Sequence, residues 1–148
     1  MSITVSGLAL VKPFELDDDM PQSPGLRRLE SVARLLLGAC SPRAAVVQAE
    51  PGAAGPVHHH GPQGTVVYVL SGEARVRWGD RLQHEADLSP GDFLFIAPGV
   101  PHREINASRR EAARWLVVRG APEDVFVPLT EGLDGEYREV GPVRGRPA

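Results

Sequence analysis

Three of the five histidines in this 148-residue chain are spaced so that they could bind one metal ion. His58, His59 and His60 are consecutive, and His102 follows after further segments with the pattern of β-strands. Side chains of a strand alternate between its two faces, so His58 and His60 can point to one side while His59 points to the other. Imidazole nitrogen is a good ligand for Zn, Cu, Fe and Ni. The spacing therefore predicts a metal site formed by His58, His60 and His102.

Other polar side chains could complete this site or act beside it. Gln63, three residues after His60, and Glu104 could each fill the vacant position of the metal shell, and Gln63 is the better candidate because a loop residue next to the His-x-His strand can swing inward. Glu104 follows His102 by two residues and so lies on the same strand face, where we expect it to hold an imidazole through its other nitrogen. Tyr68 and Glu104 are the candidate catalytic residues. A Tyr68 phenol facing the interior could donate a proton, although packing in the core is its simpler role.

The segments that carry these residues have the pattern of short strands separated by turns. The chain contains 16 Gly and 14 Pro, which favours many turns over long helices. Ser71-Gly72 separates two strand patterns and predicts a hairpin with a glycine in its tight connection. Strands are predicted at residues 44–49, 57–60, 65–70, 73–78, 82–88, 93–97, 102–105, 113–119 and 125–127. So many short strands without alternating helices predict an all-β sandwich or barrel.

Aromatic residues make up only 5% of the chain, so aliphatic side chains must fill most of the core. We expect four of the aromatic residues to lie in the core or in the wall of a pocket: Trp78, Phe93, Phe95 and Trp115. Arg75 and Arg77 alternate with apolar residues, which predicts a solvated strand face.

The chain before residue 41 is harder to interpret. Residues 3–11 have a strand-like pattern, and Asp17-Asp18-Asp19 indicates a solvated loop or crossing segment. Residues 26–38 fit a helix, because their apolar residues have helical spacing after a Ser-Pro start, and equally fit a strand, because Leu35-Leu36-Leu37 suits a buried one. We predict an N-terminal arm over 1–40 that packs on the barrel, the barrel itself over 41–140, and a flexible tail over 141–148.

Charge and cysteine content exclude several classes of function. The net charge is −3, and the sequence contains no basic stripe that would indicate binding to nucleic acid or to an anionic membrane. Cys40 is the single cysteine, which rules out an intrachain disulfide and favours a reducing compartment. The sequence has no run of 18 apolar residues. We therefore expect a soluble cytoplasmic protein that binds neither nucleic acid nor membrane.

Two motifs in the chain resemble those of the cupin superfamily. The first cupin motif is a Gly, five residues, His-x-His, three or four residues, a Glu, six residues and a Gly. The second is a Gly, five residues, Pro-x-Gly, two residues, a His, three residues and an Asn. The chain matches the first at Gly52, His58, His60 and Gly72, and the second at Gly91, Gly99, His102 and Asn106. The chain departs from the motifs at two positions. Gly64 or Thr65 occupies the glutamate position, and Ala97 occupies the proline position, with Pro98 next to it.

The resemblance implies a double-stranded β-helix, often dimeric, with a metal inside the barrel. Without the motif glutamate, the chain is similar to the three-His cupins, which include some non-haem iron dioxygenases. Three neutral imidazoles leave the full charge of a divalent metal in the pocket, so we expect an anionic, chelating small-molecule substrate. Fe(II) is the metal expected of an oxygenase, and Zn, Ni, Mn and Cu remain open. The alternatives are a non-catalytic binding or sensing cupin and a zinc-dependent lyase or isomerase.

Overall fold

The computed structural model is an all-β structure. It describes residues 3–5, 8–10, 17–18, 24–30, 43–120 and 125–140, and these residues include no helix that could cross a membrane. Cys40 and the predicted tail 141–148 lie outside the described residues. The strands are β1 (Ile3–Val5), β2 (Leu8–Leu10), β3 (Asp17–Asp18), β4 (Leu26–Glu30), β5 (Arg43–Ala49), β6 (His58–His59), β7 (Thr65–Ser71), β8 (Ala74–Trp78), β9 (His84–Leu88), β10 (Phe93–Ile96), β11 (His102–Asn106), β12 (Ala113–Arg119), β13 (Val127–Glu131) and β14 (Tyr137–Glu139).

Two six-stranded antiparallel sheets form a double-stranded β-helix. One sheet has the strand order β10-β7-β12-β5-β4-β3 and the other β14-β13-β6-β11-β8-β9. The first and second strands form a separate hairpin. Consecutive strands often lie in different sheets: β5 and β7 belong to one, whereas β6 and β8 belong to the other. This alternation places β6 and β11, which carry the histidines, next to each other in one sheet.

The core between the sheets is mostly aliphatic, as the scarcity of aromatic residues predicts. Strand alternation sends one face of β5, β7 and β12 inward, which gives each of them a buried residue at every second position. Trp115 is the one aromatic member of the main cluster, and its side chain is buried. The remaining buried members are Leu26, Val47, Ala49, Val67, Val69, Ala74, Ile96, Ala113 and Val117.

The predicted barrel strands from residue 44 to residue 119 are all present, with ends shifted by at most two residues. The last predicted strand lies later, at β13, and β14 has no counterpart in the prediction. Gly72 has a φ of +80° in the tight β7–β8 connection, as expected of a glycine there. The predicted hairpin was wrong, because β7 pairs with β10 and β12 in one sheet whereas β8 pairs with β9 and β11 in the other. Arg75 and Arg77 lie on the solvated face of β8, where Arg75 Nε binds Asp87 Oδ1 at 2.6 Å.

Two expectations for the elements need correction. Asp17–Asp18 is a strand and not a loop, because it pairs with β4 at the edge of a sheet. Of the segment that fitted both helix and strand, residues 26–30 form a strand paired with β5, and residues 31–38 lie outside the described part.

The placement of the aromatic residues is also partly different from the expectation. Leu94 and Ile96 take the inward positions of β10, so Phe93 and Phe95 point outward and are 63% and 72% exposed. Phe95 nevertheless reaches the rim of an internal cavity, and Trp78 lines its wall. The prediction was therefore wrong for Phe93 and correct for the other three: Trp115 lies in the core, and Phe95 and Trp78 line the cavity.

Candidate metal centre

The structure brings His58, His60 and His102 together inside the barrel. His58 on β6 is directly opposite His102 on β11, and His60 follows β6 on the same side as His58. All three side chains are fully buried, and each offers a nitrogen within 4.8 Å of the others' nitrogens. The three histidines named from their spacing thus form one cluster.

Backbone carbonyls fix the orientation of every imidazole in the cluster. Nδ1 of His58 donates to Pro56 O, Nδ1 of His60 to Val125 O and Nδ1 of His102 to Val100 O, each at 2.8 Å. A carbonyl oxygen can only accept, so each Nδ1 carries a proton. In a neutral imidazole the Nε2 atom then has a free lone pair, which is the form that binds a metal.

The Nε2 atoms converge closely enough to share one cation. Nε2 of His58 and Nε2 of His60 are 3.1 Å apart, which is close to the separation of about 3 Å between neighbouring ligands at metal–nitrogen distances of about 2.0–2.1 Å. Two lone pairs at this distance repel unless a positive charge or proton lies between them. Nε2 of His102 is buried and has no hydrogen-bond partner among the described residues. The donor set and its geometry fit a divalent transition metal.

The protonation of the cluster is uneven. Burial lowers the pKa of His58, and burial together with the charge of Arg119 lowers the pKa of His60 to about 3. Burial also acts to lower the pKa of His102, but its contact with Glu104 outweighs this and raises that pKa. His58 and His60 are therefore neutral near pH 7, which is the form in which an imidazole can bind a metal.

Arg119 enters the cluster from β12. The residue is 5% exposed, its Nε donates to Thr65 Oγ1 at 3.1 Å, and its Nη2 donates to His60 Nε2 at 2.8 Å. Arg119 and Thr65 are direct partners in the β12–β7 register. Thr65 is one of the two positions at which the first cupin motif would have its glutamate. In this chain the hydroxyl at that position accepts a hydrogen bond from the Arg119 guanidinium. Arg119 was not predicted as a site residue, because the sequence around residue 119 does not indicate which strand pairs with it.

Glu104 lies beside the cluster, but not as expected. Its Oε1 is 3.6 Å from Nε2 of His102, and its side chain is 13% exposed. The expectation that Glu104 holds an imidazole through the other nitrogen was wrong, because Val100 O already occupies Nδ1 of His102. Burial alone would raise the pKa of Glu104, but the interactions with His102, His58 and His60 outweigh it and keep that pKa far below its usual value. Glu104 therefore places a carboxylate beside the cluster, next to Nε2 of His102.

The other predicted site residues fall in different places. Tyr68 lies on the outer face of β7, since Val67 and Val69 take the inward positions, and its ring contacts Phe93 at 4.7 Å. The structure thus does not bring Tyr68 to the histidines. Gln63 closes the turn after His60 by donating its backbone N–H to His60 O at 3.0 Å, and Gln63 as a metal ligand remains a prediction.

His59 points away from the cluster, as its place between His58 and His60 predicts. Its Nε2 lies 3.0 Å from Glu139 Oε1, and its Nδ1 accepts the Gly61 backbone N–H at 2.9 Å. This histidine joins β6 to β14 on the outer side of the barrel.

Phe126 covers the cluster from the segment that precedes β13. Its ring stacks on His58 at 4.6 Å, and the neighbouring Val125 supplies the carbonyl that orients His60. The sequence carries no signal for this contact, because Phe126 is far from the histidines along the chain. Phe126 therefore shields His58, and Val125 orients His60.

Among the described residues, two cavities adjoin the cluster. The larger measures about 290 Å³, which suits a small molecule, and apart from His102 its wall is almost entirely apolar. Its lining residues are Val76, Trp78, Leu94, Phe95, Ile96, Ala97, Val100 and His102. The smaller measures about 10 Å³, room for about one water, and includes His58, Glu104 and Arg119 in its wall.

This combination of a double-stranded β-helix and a buried three-histidine cluster defines a small barrel with a candidate metal site. The family model of the cupin domain matches residues 45–119, half of the chain. The protein belongs to the cupin domain family. No curated protein sequence matches the chain significantly.

Solved structures support the same fold. A sugar phosphate isomerase of the cupin superfamily from Silicibacter pomeroyi is 26% identical with a TM-score of 0.55, and the match covers 65% of this chain and 59% of that one. An oxalate decarboxylase from Lactobacillus farciminis is 19% identical with a TM-score of 0.67, over 78% of this chain and 34% of that one. Peruvianin-I, a cysteine peptidase from Thevetia peruviana latex, is 16% identical with a TM-score of 0.66, over 79% and 74% of the two chains. These similarities show the fold. The chain spans about a third of the decarboxylase and three fifths of the isomerase.

Proposed function

We propose that this cupin is a metal-dependent enzyme that acts on a small anionic molecule, of the non-haem dioxygenase type. One observation supports the metal site. The Nε2 atoms of His58 and His60 lie 3.1 Å apart, while both Nδ1 atoms donate to carbonyls. A cation between them relieves the repulsion of the two lone pairs. Fe(II) held there would supply oxygen chemistry, whereas Zn would act as a Lewis acid.

The residues around the cluster support binding of a substrate with an apolar part. The cavity of about 290 Å³ reaches His102 between walls that include Trp78 and Leu94. An apolar body can displace water there while a charged end of the same molecule faces the imidazoles. Arg119 adds a positive charge within hydrogen-bond distance of His60, which favours an anion. Phe126, stacked on His58, shields that side of the cluster from water.

A second candidate function is a non-catalytic binding or sensing protein. Arg119 favours it, because the guanidinium already donates to the His60 lone pair that a metal would need. In this alternative the arginine is the permanent cation of the cluster, and the cavity binds a small molecule without chemistry. A zinc-dependent lyase or isomerase lies between the two candidates, and the similarity to a structure named as a sugar phosphate isomerase makes sugar phosphates worth testing as substrates.

Metal analysis of the purified protein is the first test. We expect about one metal ion per chain after anaerobic reconstitution with Fe(II), and the ion should be lost in the His58→Ala, His102→Ala double variant. His59→Ala is the matched control, because His59 faces away from the cluster, and it should retain the metal. Sub-stoichiometric metal that does not change in the double variant would leave only the non-catalytic candidate.

Turnover then separates the enzyme classes. Oxygen uptake by the Fe(II) protein, measured across diketones, thiols and catechol-like acids, supports the dioxygenase proposal. Absence of uptake with every compound argues against it. Turnover by the zinc protein alone, with a sugar phosphate or hydroxy acid, would replace the dioxygenase with a lyase or isomerase.

A further inference from the structure

We propose that Glu104 is the fourth protein ligand of the metal centre and takes the place of the glutamate that the first cupin motif lacks here. The proposal rests on metal binding by the three histidines as proposed above. It adds a carboxylate from β11, on a different strand from the motif position at residues 64 and 65.

The position of Glu104 follows from strand alternation. His102, Glu104 and Asn106 occupy one face of β11, and the first and last of these are fully buried. Glu104 Oε1 lies 3.6 Å from His102 Nε2, the atom that faces the other two imidazoles. Neighbouring ligands of one metal ion are about 3 Å apart at the usual metal–ligand distances. A small rotation of the Glu104 side chain would therefore bring its carboxylate into the coordination shell.

Other roles for this carboxylate are less well supported by its contacts. Glu104 cannot orient His102 through Nδ1, because Val100 O binds that atom. The adjacent arginine does not neutralise it, since Arg103 lies on the opposite strand face and donates its Nε to Gly55 O. The Glu104 carboxylate lies beside His102 and shares the wall of the small cavity with His58 and Arg119. A buried carboxylate is costly unless a positive charge compensates it, and a metal at the histidines supplies that charge.

A ligand role for Glu104 changes the charge of the centre. Three neutral imidazoles leave a divalent ion with two positive charges, and the carboxylate removes one of them. Arg119 must release His60 Nε2 before a metal can bind there, but its guanidinium keeps one positive charge beside the cluster. The site thus keeps its attraction for an anionic substrate. Four protein ligands on a six-coordinate ion leave two positions for small molecules.

The competing role is a simple ion pair, in which Glu104 only holds a protonated His102. Cobalt binding distinguishes the two roles, since the visible spectrum of Co(II) reports its ligands directly. We expect Glu104→Ala to bind Co(II) at least about 10-fold more weakly than the wild type and to change the spectrum. Added acetate should restore the wild-type spectrum in this variant and leave the wild type unchanged. Arg103→Ala is the matched control and should retain both affinity and spectrum.

The opposite results overturn the proposal. An unchanged Co(II) spectrum in Glu104→Ala, with or without a loss of affinity, would assign Glu104 to the ion pair. Wild-type protein that binds no Co(II) would refute the metal centre itself, and with it the proposed function. If Glu104→Ala does not fold, the infrared difference spectrum of wild type with and without Zn²⁺ decides. A shifted carboxylate band supports ligation, and its absence excludes it.

Discussion

His60 Nε2 is the atom at which the two candidate functions diverge. The Nδ1–H of His60 donates to Val125 O, so Nε2 has one lone pair that can accept a hydrogen bond or bind a metal. Arg119 Nη2 binds that lone pair at 2.8 Å, and a metal ion would require the same one. A metal can therefore enter only if the guanidinium releases His60. The bond from Arg119 Nε to Thr65 Oγ1 could persist during this change, because it involves a different donor.

The competition predicts that removing the guanidinium strengthens metal binding. Arg119→Met keeps the length and apolar stem of the side chain but removes both the donor and the like charge. Breaking one charge-assisted hydrogen bond is worth about 1.5–3 kcal/mol, so we expect Zn²⁺ affinity to rise by about 10-fold or more. Isothermal titration calorimetry with Zn²⁺ measures the change, after circular dichroism has shown that the variant is folded.

Arg114→Met provides the control for this substitution. Arg114 lies on the same strand, β12, but its side chain is exposed and far from the cluster. We expect its Zn²⁺ affinity to equal that of the wild type. If Arg119→Met weakened Zn²⁺ binding, Arg119 would be a support of the metal site and not its competitor.

At the scale of strands, the pattern of alternation decided which histidines meet. The prediction that His58 and His60 face inward while His59 faces outward was correct, because alternation is a local property of any strand. The same rule located the barrel strands between Arg43–Ala49 and Ala113–Arg119, where apolar runs alternate with Gly and Pro turns. The pairing of β6 with β11, which puts His102 opposite His58, was not predicted, because periodicity does not reveal which strands pair.

Contacts between distant strands and loops were out of reach of the sequence. Arg119 meets Thr65 because β12 pairs with β7, and that register depends on packing across the whole sheet. Phe126 reaches His58 from a segment without strand periodicity. Phe93 was misplaced because an apolar run predicts burial on both faces, whereas β10 is an edge strand with one face outside. The strands of the site could be predicted, but the side chains that surround it could not.

The β7–β8 connection, which leads from one sheet to the other, depends on Gly72 for two separate reasons. Its φ is +80°, and a Cβ at this position would lie 2.6 Å from Ala112 O and 2.7 Å from Ala113 Cα. Gly135 also has a φ of +80°, but a Cβ added there would meet no atom within 4 Å. A pair of Gly→Ala variants at these positions therefore separates backbone strain from steric overlap.

We expect Gly135→Ala to lower the free energy of unfolding by about 1–2 kcal/mol, the cost of a left-handed conformation. Gly72→Ala should lower it by a further 1–3 kcal/mol or so, roughly the cost of overpacking against backbone that cannot move aside. Urea denaturation followed by Trp fluorescence measures both, since Trp115 is in the core. Equal losses in the two variants would mean that the β7–β8 connection moves to accommodate the Cβ.

For the whole molecule, the two sheets differ in their outer faces. The sheet with β8 and β9 presents charged pairs, such as Arg75 with Asp87. The outer face of the other sheet carries apolar residues on adjacent strands: Phe93, Phe95, Tyr68 and Leu70. Phe93 and Phe95 are mostly exposed, and their rings lie 6.4 Å apart. Exposed apolar surface shared by several side chains is typical of protein–protein contact sites.

The family resemblance implies a homodimer, and we expect this apolar face to be its contact surface. We expect the wild type to sediment as a dimer, and Phe95→Glu to sediment as a monomer because a charge would be buried in the contact. Leu133→Glu is the control, since Leu133 is fully exposed in the turn between β13 and β14. That variant should remain dimeric. A monomeric wild type, or a Phe95→Glu variant as dimeric as Leu133→Glu, would contradict self-association through this face.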